Sequence, residues 1–164
     1  MPNWCENEVS IQTVTVEEAE AFMESIKDGD NHFSFNKILP MPKELKGTKA
    51  PATIVSQKEY DEFKLTESER NMGMGTPITQ EMSDNFKEKY GYDTWYDWAI
   101  ANWGTKWDVS CEDSDISGNT LLYDFLTAWC PPTGIHEALV AQHPNWRIKW
   151  SYREEDMDEQ GTLT

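Results

Sequence analysis

The amino-acid sequence predicts an α+β fold in which a four-stranded antiparallel sheet carries a large, mostly helical insertion. Strand-type alternation of apolar and polar residues is confined to the two ends of the chain. Between them lie several segments that begin with a residue favoured at helix N-caps. The chain also has eight tryptophans among its 164 residues. Because each tryptophan buries a large rigid surface and needs a partner for its indole N–H, this content commits the chain to specific packing.

The N-terminal part predicts one strand followed by one helix. Apolar and polar residues alternate through residues 8–14, which is the pattern of a half-buried strand. Thr15 and Glu18 have the spacing of a capping box, so a helix is expected to begin there. The apolar face of this helix ends near Gly29, which marks its C-terminus.

The C-terminal part predicts three strands and a second helix. Residues 106–116 and 120–129 are strand-like, and the Ser-Gly-Asn sequence between them predicts a hairpin turn. Thr133 is then expected to cap a short helix. Residues 147–152 alternate again and predict the last strand.

The predicted order β-α-β-β-α-β, with residues 31–104 inserted after the first helix, is the split βαβ or ferredoxin-like plan. In that plan the first and third strands lie inside the sheet. Residues 120–129 are apolar on both sides, which predicts a strand covered on both faces, with the insertion over the second face. We therefore expect a single domain over residues 1–152 and a frayed acidic tail over residues 153–164.

Four phrases of the sequence carry a family resemblance. PNWCEN, FSFNKILPMP, YDWAIANWGTKWD and FLTAWCPP occur in this order. They resemble the uncharacterised phage and plasmid proteins that have a YubB-type ferredoxin-like domain, from Met1 to about Tyr152. The resemblance implies a ferredoxin-like fold and an origin in a phage, prophage or plasmid. It brings no catalytic residues with it.

The chain is strongly acidic, with 14 lysines and arginines against 30 aspartates and glutamates and a formal net charge of −16. Such a charge either serves solubility or forms a surface that docks on a basic partner, as a phosphate backbone would. Direct binding of nucleic acid is disfavoured, because this field repels phosphates. The candidate partner-binding residues are Glu6 and Glu8 near the first strand, Glu17, Glu18, Glu20 and Glu24 on the first helix, and Asp108, Glu112, Asp113 and Asp115 on the second strand.

Nothing in the sequence predicts catalysis, a metal or a cofactor. The cysteines and histidines lack the close spacing of zinc ligands, and neither a nucleophile turn nor a phosphate-binding loop is present. If residues 106–116 pair along residues 120–129, Cys111 faces Leu126 and Cys130 faces Trp107, so both cysteines are expected in the core. The odd cysteine count, with no secretory leader and no membrane-length apolar run, predicts a cytoplasmic protein with reduced thiols.

The aromatic residues of the third strand allow two interpretations. Tyr123, Phe125 and Trp129 could form a platform on which single-stranded RNA stacks. The acidic residues expected on the neighbouring strand argue against a phosphate-bearing ligand. Tryptophans of residues 95–103 are instead expected to cover these rings as a second core.

We therefore predict a non-enzymatic interaction protein of a phage or other mobile element. It is expected to inhibit a host nucleic-acid-binding defence protein by occupying that protein's basic surface. The alternative is a small-molecule or nucleotide-binding domain with a cleft between sheet and insertion. The sequence does not determine an oligomeric state.

Overall fold

A computed structural model of the chain describes residues 3–154 and 159–164 and has a mixed α+β fold. The chain forms two compact units, one from the residues up to Pro40 and from Asn102 onwards, the other from Met41–Ala101. The elements in chain order are β1 (Trp4–Gln12), α1 (Val16–Ser25), α2 (Phe35–Ile38), β2 (Ile54–Val55), α3 (Gln57–Glu62), α4 (Glu67–Asn71), β3 (Ile78–Thr79), α5 (Gln80–Tyr90), α6 (Trp95–Trp103), β4 (Asp115–Ser117), β5 (Thr120–Ala128), α7 (Thr133–Gln142), β6 (Arg147–Glu154) and β7 (Glu159–Leu163).

The first unit contains a five-stranded sheet in the order β4-β5-β1-β6-β7, with every neighbouring pair antiparallel. The predicted first and third strands, β1 and β5, both lie inside it, as expected. Their pairing runs from Trp4 opposite Ala128 to Gln12 opposite Thr120. The predicted hairpin turn is also present between β4 and β5. Gly118 in this turn adopts a φ of 59°.

The predicted strand over residues 106–116 is wrong for most of its length, since β4 covers only Asp115–Ser117. The backbone of residues 109–111 is engaged elsewhere. The Asn31 side chain donates to the Val109 carbonyl at 2.7 Å and accepts from the Cys111 N–H at 3.1 Å. The His32 N–H donates to the Cys111 carbonyl at 2.7 Å. The segment therefore pairs with Asn31 and His32 instead of with β5.

The expectation of a frayed tail is wrong for Glu159–Leu163, which forms β7. This strand pairs with β6, from Trp150 opposite Leu163 to Glu154 opposite Glu159. An unpaired β6 would present a row of open backbone groups, and β7 satisfies that edge. Residues 155–158 of the expected tail lie outside the described residues.

The two faces of the sheet differ, and the prediction that β5 is covered on both faces is wrong. On the inner face Val9, Ile11, Tyr123 and Trp150 are buried. On the outer face the leucines of β5 remain open, with Leu122 and Leu126 43% and 49% exposed. The helices α1 and α7 bury their apolar residues on the inner side.

The inner face is completed by an aromatic cluster around Phe33. The Phe33 ring lies 4.8 Å from Tyr123, 5.0 Å from Phe125 and 5.9 Å from Trp150, measured between centroids. Phe35 extends the cluster to Trp103 at 5.9 Å. The part of the predicted insertion that contacts the sheet therefore covers the same face as the helices, and Trp103 belongs to this core instead of a second one.

The polar side chain of Asn7 lies within this core at 2% exposure. Its amide nitrogen donates to the Cys5 carbonyl and to the Thr127 hydroxyl, both at 2.9 Å. Its oxygen accepts from the Trp150 indole N–H at 3.0 Å. The bond to Cys5 lies within β1, whereas the bonds to Thr127 and Trp150 join β1 to β5 and to β6. This paired amide therefore fixes the register of the central strands.

The second unit is mostly helical, as predicted for the insertion, and contains the short parallel pair of β2 and β3. Leu45, Ile78 and Ala99 are buried in it. Its helices use the N-caps expected from the sequence. Ser56 and Glu59 form a complete capping box on α3, and Thr79 caps α5.

Replacing Trp103 by alanine should lower the free energy of unfolding by about 3–5 kcal/mol, because a buried ring and its surroundings would leave a cavity. The Leu39 carbonyl would also lose the hydrogen bond that it accepts from the Trp103 indole N–H, which is 2.9 Å long. Trp107, which is 43% exposed, is the matched control. Its replacement should cost less than about 1 kcal/mol. Urea unfolding of both variants measures the difference, and equal losses would contradict this assignment of the core.

His136 should make stability depend on pH. It is buried on α7 with its ring 5.9 Å from Trp150. Burial lowers its pKa below the ordinary 6.5, and Glu137 opposes this only in part. Because the folded-state pKa is the lower one, the unfolded state binds the proton first, and stability is lost as pH falls below about 6.5.

The measurement compares the wild type with His136→Leu at about pH 7.5 and about pH 5.5. The wild type should lose more unfolding free energy than the variant over this interval. If the difference in unfolding free energy between the wild type and His136→Leu is the same at both pH values, His136 is not held neutral by the fold.

Candidate functional site

A groove of about 630 Å³ runs along the edge of β5 that faces residues 106–113, and residues from both faces of the strand line it. It exists because residues 109–111 bond to Asn31 and His32. Throughout the described part of this region, no backbone hydrogen bond joins residues 106–114 to residues 123–128. The groove is lined by Trp4, Trp107, Asp108, Val109, Ser110, Glu112, Asp113, Asp124, Phe125, Leu126, Thr127 and Ala128.

One end of the groove is aromatic. Trp4, Trp107 and Trp129, here called the tryptophan cluster, are 46%, 43% and 42% exposed. The Trp4 and Trp107 rings are 6.5 Å apart. The Lys106 ammonium lies 3.8 Å from the centre of the Trp107 ring and 4.0 Å from that of Trp129. The cluster therefore already holds a cation between two ring faces.

Trp129 has a φ of 71°, a left-handed backbone conformation that is unfavourable for a bulky side chain. Its N–H donates to the Asn3 carbonyl at 2.9 Å, which holds this residue at the end of the β1–β5 pair. This backbone conformation lowers the stability of the fold, and it occurs where the indole ring is exposed to solvent and covers Lys106.

The rest of the groove is acidic, and none of its lining residues is basic. Glu112 and Asp113, two of the predicted partner-binding residues, come together here with Asp124, which the sequence reasoning missed. Glu8 continues the acidic surface, because it lies directly opposite Asp124 in the β1–β5 register. Like charges in facing positions destabilise a sheet, so this pair costs stability.

Two further predicted residues lie on this outer face. Asp115 stands opposite Leu122 in the β4–β5 register. Glu6 stands opposite Leu126 and forms an ion pair with Arg153 at 2.8 Å. The outer face therefore combines a run of carboxylates with exposed leucines, and its basic residues lie towards β6.

Asp108 lines the groove, but its carboxylate is engaged in the fold. One oxygen accepts from the backbone N–H groups of Phe35 and Val109, at 2.7 Å and 2.9 Å. The other accepts from the Ser34 hydroxyl at 2.9 Å and from the backbone and side chain of Asn36 at 3.1 Å and 3.0 Å. Asp108 thus caps α2 from a distant part of the chain, where the Ser34 side chain provides no cap.

The four glutamates of α1 lie on the other side of the sheet, because α1 packs its buried residues on the inner face. Glu18 accepts from the Val14 N–H at 3.1 Å and from the Trp146 indole at 3.2 Å. Glu24 pairs with Lys27 at 2.7 Å, while Glu17 and Glu20 point to solvent. The predicted acidic residues therefore divide between two surfaces.

The aromatic platform considered for RNA is wrong, because Tyr123 and Phe125 are buried on the inner face. A signal for the true arrangement was present in the sequence. Asp124 alternates with these rings, and a charged residue in a strand covered on both faces would be costly without a partner. Its position between Leu122 and Leu126 therefore indicates that their shared face is open to water.

The cysteines lack the features of a catalytic thiol. Cys5 and Cys111 are buried, whereas Cys130 is exposed, so the expectation that Cys130 lies in the core is wrong. The pairing that would set it opposite Trp107 does not form. Burial raises the pKa of the Cys5 thiol to about 11 and also raises the pKa of Cys111. The residue Cys130 is exposed, but its sulfur lies against the Gly104 carbonyl, and partial desolvation of this sulfur together with the Glu154 charge raises its pKa. Thiols with raised pKa values are mostly protonated at neutral pH and are poor nucleophiles.

Residues 3–154 and 159–164 show neither a candidate metal site nor a candidate membrane span. No group of three or more His, Cys, Asp or Glu side chains among them could hold a metal ion. None of the helices in these ranges has the length and apolar character needed to cross a membrane.

Comparison with known proteins gives little beyond this geometry. No protein-family model matches the chain, and no curated protein matches it. Among solved structures it is similar to the crystal structure of the protein api92 from Yersinia pseudotuberculosis, described as DUF1281. The TM-score is 0.49 at 13% sequence identity, over 99% of this chain and 93% of that one. The site is therefore interpreted from its own residues.

Replacing Asp108 by asparagine should lower the free energy of unfolding by about 1–3 kcal/mol. Both carboxylate oxygens of Asp108 accept hydrogen bonds, and the asparagine would replace one of them by an NH₂ group. The donors that bind this oxygen would then have no acceptor. Glu112→Gln, in the same groove, is the control and should change stability by no more than about 0.5 kcal/mol. Thermal unfolding followed by circular dichroism compares the two, and an unaffected Asp108→Asn variant would argue that the carboxylate does not hold α2.

Proposed function

We propose that this chain is a non-enzymatic interaction protein that binds the basic surface of a partner protein through the outer face of its sheet. One observation carries the proposal. The groove beside β5 joins exposed tryptophans to carboxylates, and no basic residue lines it. Exposed aromatic residues next to uncompensated acids are the features of an anchor for a basic, partly apolar partner.

The net charge of −16 supports the same interaction over a longer range. Attraction between opposite charges raises the association rate and is screened within a Debye length of about 8 Å at physiological salt. The same field disfavours phosphates, so we propose no direct binding of nucleic acid.

The nature of the partner follows from the resemblance of the four sequence motifs to phage and plasmid proteins. We propose that the partner is a nucleic-acid-binding defence protein of the host cell. The two proteins would meet in the host cytoplasm. The carboxylates along the outer face would then occupy the basic surface that the partner uses for DNA or RNA. DNA would compete with this chain for the partner.

We also propose that the fold is a ferredoxin-like sheet extended by one strand. The order β4-β5-β1-β6 supports this, because it places the predicted strands in the sequence two, three, one, four. The added strand β7 lies beside β6 and leaves this order unchanged.

Reversing charge on the outer face should weaken binding by about tenfold or more, mainly through a slower association rate. The outer-face variant combines Glu8→Lys, Glu112→Lys and Asp124→Lys. The control carries the same charge change on the other side of the sheet, through Glu17→Lys, Glu20→Lys and Glu137→Lys. All six side chains are exposed, so both variants are expected to fold.

The partner is identified by retention from a bacterial lysate on the immobilised wild-type chain and is then purified. Its Kd for each variant is measured by biolayer interferometry from about 50 to about 500 mM salt. The wild-type complex should weaken with salt, and duplex DNA should displace this chain. Equal affinity of the two variants, or a complex insensitive to salt, would show that the charge serves solubility alone.

A further inference from the structure

Building on the proposed function, we infer that the tryptophan cluster is a receptor for a cationic side chain of the partner, and that Lys106 occupies this receptor in the free protein. The occupant is an extended, arginine-containing segment of the partner protein. The inference rests on the cation already in place, on the open edge of β5 and on the acidic lining between them.

The Lys106 ammonium is the direct observation. It lies within 4.0 Å of the centres of two indole rings, well inside the range of cation–π attraction. Among the described residues, Lys106 takes part in no ion pair with a carboxylate. Its ammonium is therefore held by two tryptophans that are each more than 40% exposed as residues, and an incoming cation can replace it without breaking a salt bridge.

An arginine fits this place better than lysine. Its planar guanidinium stacks on indole rings and is less strongly hydrated than an ammonium. Trp107 belongs both to the cluster and to the groove lining, so a guanidinium bound there lies at the end of the acidic run of Glu112, Asp113 and Asp124. Carboxylates in this position attract the remaining cationic side chains of the same segment.

We expect the partner's segment to be extended because the edge of β5 beside the groove is unpaired in the described part of the chain. Trp129 directs its N–H to Asn3 beside β1, whereas the Ala128 carbonyl accepts from the Thr105 hydroxyl at 3.0 Å on the opposite edge. Peptide groups alternate between the two edges of a strand, so those of Asp124 and Leu126 point towards the groove. Among the described residues, the Asp124 carbonyl meets the Cys111 thiol at this edge, at a long distance of 3.7 Å. A partner strand can pair with this edge, as in β-strand addition.

The probe is an acetylated and amidated peptide of alternating arginine and valine, titrated against the full chain by isothermal calorimetry. Lys106→Gln should tighten binding about fivefold beyond any general charge effect, because the receptor no longer holds its own cation. Lys149→Gln is the matched control. It removes the same charge from the outer face, away from the tryptophan cluster.

Two further changes test the receptor and the edge. Trp107→Ala should weaken binding about tenfold, and Trp107→Phe should recover part of that loss. The same peptide with N-methyl groups on alternate residues should bind more weakly, because it cannot donate to the β5 edge. Circular dichroism confirms that each variant is folded.

Equal effects of Lys106→Gln and Lys149→Gln, or unchanged binding by Trp107→Ala, would overturn the inference. Tighter binding of single-stranded DNA than of the peptide would overturn it as well. If the outer-face charge reversal still weakens the partner complex, while Lys106→Gln matches Lys149→Gln and Trp107→Ala leaves peptide binding unchanged, only this inference fails. If the charge reversal has no effect, the proposed function fails.

Discussion

The seating of residues 31–36 on the inner face of the sheet is the constraint on which the rest of the first unit depends. Phe33 fills the space between Tyr123, Phe125 and Trp150. It is held there by hydrogen bonds from both sides, since Asn31 binds the backbone of residues 109–111 and Asp108 caps the turn that follows. The same bonds draw residues 106–113 away from β5. The groove on the outer face is therefore a direct consequence of how the inner core is closed.

This coupling separates two kinds of carboxylate that look alike in the sequence. Asp108 is saturated with donors and stabilises the fold, while Glu112 and Asp124 remain exposed on the surface. In the proposed complex, binding energy from the outer face would come from these exposed carboxylates, together with the indole rings beside them. A cluster of acids counted from sequence alone overstates the charge that is free to meet a partner.

The charge and the aromatic residues would contribute to different steps of binding. The net charge acts at a distance and chiefly raises the rate of encounter. In the proposed complex the tryptophan cluster would act at contact, where burying its aromatic area and desolvating a cation would slow dissociation. The glutamates of α1 can share only in the first step, because they lie across the sheet from the groove.

The sequence by itself determined the elements whose signals are local. The caps at Thr15, Ser56 and Thr79 and the turn at Gly118 depend on residues a few positions apart. The tertiary structure alone decided how far the strands extend and where, among the described residues, the edge of β5 stays unpaired. Asn7 meets Trp150, and Asn31 meets Val109, across long stretches of chain. The bonds of Asn31 settle the length of β4 and open the groove, because competition between distant partners for the same backbone groups leaves no local pattern in the sequence.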